Sequence, residues 1–265
     1  MKVREVIDYL HTIAPNHYQE DYDNSGLLVG EYGAEISAVL VSLDVTEEVL
    51  DEAISKGCNL IISHHPIIFG GVKRLTDGNY VQRIIKKAIK NDLNLFAIHT
   101  NLDNVYDHGV NTNIAKKLGL KYTSILRPKA GLDDPRVGSG IIGNIDPQEE
   151  MAFLDFLKTT MEAQCIKYTK LLGNPITRVA ICGGSGRFLL QDAIRQGAQV
   201  FISSDFKYHE YFDADGQIVI ADIGHFESEQ YTTHMLWEIL TNKFSSFAAH
   251  YTKVNTNPVN YLVRS

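Results

Sequence analysis

Apolar residues recur at helical spacing over residues 3–13, where Val3, Val6, Ile7, Leu10 and Ile13 share one face before Pro15 ends the run. The pattern then switches to short aliphatic blocks. "SAVLVSL" (37–43), "NLIISH" (59–64) and "LNLFAIHT" (93–100) read as strands. Between them lie a helix that Thr46 caps and Gly57 ends, with Glu47 and Glu48 in its first turn, and a basic amphipathic helix over 80–92. Strand and helix alternate again in the second half, through strands 176–184, 198–205 and 218–224, a helix over 188–197 and a last helix over 228–243. The segment "RPKAGLDDPRVGSG" (127–140) carries the Pro, Gly and Asp of a loop or boundary. Alternation of this kind predicts an α/β fold, and near-continuous aliphatic strands suit a largely parallel sheet covered on both faces. The chain is therefore expected to form two lobes, 1–126 and 127–265, with the final helix free to pack back on the first.

The halves also match each other. "LDEAISKGCNLIISHH" (50–65) set over "LQDAIRQGAQVFISSD" (190–205) gives six identities in sixteen positions at a shift of 140 residues. Val39 falls over Val179 at the same shift. A duplication is the favoured explanation, with two similar lobes turning their strand C-termini toward a shared cleft, the end where open α/β sheets hold ligands.

Composition narrows the class. Hydrophobic residues make up 44% and charged residues 22%, as in ordinary globular proteins. A net charge of −7 gives no reason to expect nucleic acid as partner. No apolar run reaches membrane-spanning length, and the N-terminal stretch has charges where a signal peptide has its apolar core. Cys58, Cys165 and Cys182 are scattered and odd in number, so they are expected as buried, reduced thiols of a cytoplasmic protein.

Polar residues gather where the strands end. His64 and His65 follow the second strand; His99, Asn101 and Asp103 follow the third; Asp222, His225, Glu227 and Glu229 follow strand 218–224. His225 and Glu229 would share a helical face. Imidazoles with carboxylates suit zinc, iron or manganese, and the absence of cysteine from this set argues against a structural zinc site. Adjacent histidines on a strand point opposite ways, but where Pro66 breaks the pleat both can swing to one side. Two buried imidazoles without partners would cost a few kcal/mol each, which weighs against a purely structural role. His99, beside Thr100 and Asn101, is expected to support a ligand from behind or to hydrogen-bond in a turn, and not to be a ligand itself. "CGGSG" (182–186) lies between a strand and a helix, where glycine amides approach anions; the alternative is a tight turn that packs closely. Gly184, Ser185, Gly186 and Lys207 are the candidate phosphate-binding residues, and His209 a candidate proton carrier.

Taken in order, "YDNSGLLVG" (22–30), "SHHP" (63–66), "HTNLD" (99–103), "GGSG" (183–186), "SSDFKYH" (203–209) and "GHFESE" (224–229) resemble the Nif-three-like family of dinuclear metal-binding proteins, often labelled type 2 GTP cyclohydrolase homologues. The resemblance runs the length of the chain and matches the short form, without the domain that longer members insert. It implies two α/β lobes with two divalent ions between them and a toroidal homohexamer. It further implies His64 and His65 as ligands of one ion each, Asp103 and His225 as ligands, and Glu229 as a bridging carboxylate. Two departures, Tyr22 where the family usually has Trp and "SSD" (203–205) where it has "TGD", fall outside that ligand set.

The resemblance implies a metal-dependent hydrolase acting on a nucleotide or another phosphorylated small molecule, with Glu229 or His209 moving the proton. The alternative is a metal-handling or interaction protein without turnover.

Overall fold

The computed structural model describes residues 1–262; residues 263–265, the end of the second expected lobe, lie outside the described residues. The chain starts with α1 (Val3–Ile13), β1 (Gly26–Val29), β2 (Ala38–Ser42), α2 (Glu47–Ser55), β3 (Leu60–Ser63), α3 (Tyr80–Lys90), β4 (Asn94–Ala97) and the one-turn α4 (Thr100–Asp103). It continues through α5 (Val110–Lys117), β5 (Lys121–Pro128), β6 (Gly138–Gln148), α6 (Glu150–Thr160), β7 (Lys167–Tyr168), β8 (Ile176–Ser185), α7 (Leu190–Arg195), β9 (Val200–Ser204), β10 (Val219–Asp222) and α8 (His225–Glu229). It closes with α9 (Tyr231–Lys243) and β11 (Ala248–Tyr251). Among the described residues two compact units result, one of residues 1–102 and 232–258, the other of 103–231 and 259–262.

The first unit is a five-stranded sheet in the order β1-β4-β3-β2-β11. Every pair is parallel except the edge pair β1·β4. All positions of β2, β3 and β4 are buried, as expected of strands covered on both faces. The apolar face of α1 (Val3, Val6, Ile7, Leu10) is buried, and Thr46 caps α2 by accepting from the Val49 N–H. Leu40, Val49, Leu50, Ile61, Ile84 and Leu95 anchor this unit's core.

The second unit holds a six-stranded sheet in the order β5-β6-β8-β9-β10-β7. Its centre, β8–β9–β10, is parallel, and antiparallel strands extend it on either side. Residues 127–140 are a loop, at the antiparallel turn between β5 and β6, whose ends pair as Arg127 with Ser139 and Pro128 with Gly138. The Pro, Gly and Asp there serve a hairpin loop, which the same residue types signal equally well.

The repeat seen in sequence reappears in the pairing. In the first unit Val39 pairs with Leu60 and Val41 with Ile62; in the second Val179 pairs with Val200 and Ile181 with Ile202. The shift of 140 residues is kept through these rungs; past Ile181 the second sheet's register shifts, so that Ser204 pairs with Ser185, and the match of His64 and His65 to Ser204 and Asp205 rests on the sequence alignment.

Candidate metal-binding residues

In the first unit the end of β3 delivers a triangle of imidazoles. Beyond Ser63 the backbone keeps pairing with the neighbouring strand, His64 N–H donating to Ser42 O and His65 N–H to Leu43 O. The side chains nonetheless turn to the same side. Ring centroids of His64 and His65 are 5.0 Å apart, and His99 lies 5.2 and 5.3 Å from them. One ligating nitrogen of each lies within 4.8 Å of the others, so the three could hold a metal ion. The structure therefore brings His99 together with the pair, which makes it a candidate third donor beside its expected role in support of a ligand or in a turn. Its neighbours in sequence give no sign of this, because its partners arrive from two other strand ends.

Each ring is oriented through Nδ1. His64 Nδ1 donates to the Ile98 carbonyl at 2.9 Å, His65 Nδ1 to Asp44 Oδ1 at 2.7 Å, and His99 Nδ1 to Asp23 Oδ1 at 2.8 Å. Such contacts fix the tautomer and make Nε2 the electron-pair donor, the arrangement usual for metal-binding histidines. Asp23 also accepts from Thr100 N–H, Thr100 Oγ1 and Ser25 Oγ. Its side chain is fully inaccessible. Burial alone would raise its pKa, but the bonds from His99, Thr100 and Asn24 outweigh it and hold the carboxyl well below the usual range. The "YDNSG" motif thus supports His99 from 76 residues away.

In the second unit Gly224, at φ +93°, turns the chain into α8, which places His225 and Glu229 on one face. His225 Nε2 lies 3.1 Å from Glu229 Oε2, and His225 Nδ1 donates to Asp205 Oδ2 at 2.6 Å. Burial disfavours the imidazolium, but the bonds to Asp205 and Glu229 outweigh it and raise the His225 pKa to about 11. Asp103 closes α4, and its carbonyl accepts from Asn111 Nδ2 at 3.1 Å. Burial first, then the charges of Asp103 and Glu229, push the Cys182 thiol far up, so it stays protonated. Cys58 is buried too, whereas Cys165 is exposed, which corrects the expectation of three buried thiols.

The "GGSG" stretch does lie between a strand and a helix, since Gly186 precedes a 3-10 turn, Arg187–Leu189, that runs into α7. Gly183, Gly184 and Ser185 belong to β8, with Gly183 half-buried, Gly184 buried and Ser185 exposed. Gly183 N–H donates to Asn111 Oδ1, Gly184 N–H to Ser228 Oγ and Gly186 N–H to Ser203 Oγ. A phosphate would find these three amides already engaged. The glycines instead permit close approach: a Cβ on Gly184 would stand 2.4 Å from Glu229 Oε1. Ser228, unremarked in the sequence, takes the Gly184 N–H and donates to the His225 carbonyl, tying α8 to the end of β8. Lys207 is exposed at the start of a 3-10 turn, where its backbone N–H donates to Glu210. On that turn His209 stacks on Phe212 and meets Tyr208 edge-on.

A profile of the Duf34/NIF3 (NGG1p interacting factor 3) family matches residues 1–258. A Campylobacter jejuni protein named GTP cyclohydrolase 1 type 2 homolog is 36% identical over 246 residues, covering 91% of this chain and 93% of its own. A Staphylococcus epidermidis protein of the same name aligns over 371 positions at 29% identity, covering 98% of this chain and all of its own. With 265 residues here, that relative carries additional residues that this chain lacks. A crystal structure of a Staphylococcus aureus protein superposes with a TM-score of 0.92 at 31% identity, covering 99% of each chain. A Bacillus cereus protein related to NIF3 shares the fold, with a TM-score of 0.90 at 24% identity over 99% of each chain.

Proposed function

Since the chain belongs to the Duf34/NIF3 family, we propose that it is a metal-dependent hydrolase of a nucleotide or another phosphorylated small molecule. In this reading His64, His65, Asp103, His225 and Glu229 would hold two divalent ions, with His99 as a further donor. The observation that carries it is the shared orientation of four imidazoles, each bound through Nδ1 to a carboxylate or a carbonyl. Aspartate partners serve three of the four, which raises the basicity of those rings and suits them to zinc, iron or manganese.

When bound, such ions supply Lewis acidity and a water nucleophile at neutral pH. The protein's own part is orientation and proton movement. Glu229, buried and fixed by the close approach of Gly184, is positioned to hold a carboxylate oxygen in one place. Glu229 or His209 takes the proton. Ser185 and Lys207 meet the substrate phosphate through their side chains. The relatives' name points to a GTP cyclohydrolase type 2-like reaction, which opens the imidazole ring of the purine and releases formate. The same reading takes the protein as a cytoplasmic homohexameric toroid, for which light scattering should return six times the chain mass.

The test compares metal-reconstituted wild type with His65→Ala on GTP, followed by formate release, and on phosphoesters, followed by phosphate release. Metal content by mass spectrometry should fall in the variant together with turnover. Equal rates for the two proteins on every substrate would overturn the hydrolase reading. The engaged amides of Gly183, Gly184 and Gly186 favour a second reading, a metal-handling protein without turnover. It expects exchangeable metal that passes to an apo-acceptor protein, and it fails if the metal is inert.

A further inference from the structure

Asp44, the carboxylate that orients His65, is itself held by the far end of the chain. Its Oδ1 accepts from His65 Nδ1 at 2.7 Å, while its Oδ2 accepts from the Thr256 hydroxyl at 2.6 Å. The two residues are separated by 212 positions. Their meeting follows from the parallel pairing of β11 with β2, in which Tyr251 lies opposite Val41. Both chains leave the sheet side by side, and five residues past β11 the strap reaches the residue two past β2.

The strap is fastened along the way. Thr252 N–H donates to Val41 O at 2.8 Å, the Thr252 hydroxyl and Lys253 N–H both donate to the Glu52 carboxylate on α2, and Val254 packs on the first unit's core. An aspartate carboxyl turns easily about its terminal bond, for that torsion has no sharp staggered wells. A second donor on the other oxygen removes that freedom, as Ser25 and Thr100 do for Asp23 beneath His99.

We infer that Thr256 is a positioning residue for His65: its hydroxyl fixes the Asp44 carboxylate, which in turn sets the tautomer and direction of the ring. The inference deepens the metal-binding reading above and rests on it for its consequence, which is that a C-terminal strap tunes affinity at the candidate site. A segment near the C-terminal end, distant in sequence from every motif, becomes part of the machinery that holds His65.

Long-range proton–nitrogen correlation spectra of the metal-free full chain report the His65 tautomer directly. Wild type and Thr256→Ser should show a single species with the proton on Nδ1, whereas Thr256→Val should show a mixture. Zinc affinity, measured by competition with a chelator, should fall about three- to tenfold in Thr256→Val, less than the 10–100-fold typical when a direct partner of a ligand is lost, and recover in Thr256→Ser. If Thr256→Val folds poorly, Glu52→Gln loosens the same strap with the hydroxyl intact and should give the same mixture. A single Nδ1–H tautomer retained in a folded Thr256→Val or Glu52→Gln protein overturns the inference. Should wild type bind no zinc, the metal reading falls, and the tautomer comparison still decides the role of Thr256.

Discussion

With φ at +62° and Glu229 Oε1 only 2.4 Å from the place of a Cβ, position 184 has no room for a side chain. Gly173 has a similar φ of +76° but open space around it. The pair separates two costs. Gly173→Ala should lose only the left-handed strain of about 1–2 kcal/mol, while Gly184→Ala should lose more and displace Glu229. Urea unfolding of both variants, with zinc titration of each, checks this; equal losses and equal zinc binding would mean that Glu229 relaxes freely. At this scale the sequence was legible where chemistry repeats locally, as in His64–His65 and His225–Glu229. It marked His99 as one of the polar residues at the strand ends but not its partner, since Asp23 comes from 76 residues away. Nor could it tell a phosphate turn from a close-packed one, since glycine serves both.

The elements that the sequence announces, such as α1, β2 and β3, fall within a few residues of their predicted ranges because they bury faces set by their own periodicity, whereas β5, β6, α5 and α6 carry no such announcement. At 127–140 the sequence marks a loop or boundary without saying that the flanking strands pair, because turn residues serve both. The strap after β11 carries no periodicity at all, and its value lies in three hydrogen bonds to Glu52. Burial lifts the Glu52 pKa, but bonds from Lys56, Thr252 and Lys253 outweigh it and hold it below the ordinary 4.5. A depressed folded-state value means stabilisation that is present above the unfolded pKa and fades as pH falls through the folded one. Glu52→Gln should therefore cost about 1–2 kcal/mol at pH 7, with the difference from wild type shrinking below about pH 4.5. Urea midpoints across pH 3–7 measure it. A gap that stays constant to pH 3 would remove the carboxylate from the account.

At the scale of the whole molecule, the candidate ligands are shared between two units with separate cores, His64, His65 and His99 in one, Asp103, His225 and Glu229 in the other. The proposed reading requires both sets to serve the same pair of ions. A double-mutant cycle distinguishes this from two independent weak sites. His65→Ala and His225→Ala should each weaken zinc binding by at least about a hundredfold, beyond the loss typical of an outer partner. If the ions are shared, the double variant should lose less than the product of the two, with a coupling energy of about 0.5–3 kcal/mol. Independent sites would give losses that add within about 0.5 kcal/mol. The same measurement bears on folding: a ligand bound only by the native state, at a hundred times its Kd, adds about 2.7 kcal/mol of stability. Shared ions would then raise the melting of both units together, whereas a site confined to the triangle of His64, His65 and His99 would protect the first unit alone. Hydrogen exchange resolved along β3 and β9, with and without zinc, separates the two, since each strand lies at the buried centre of its own sheet.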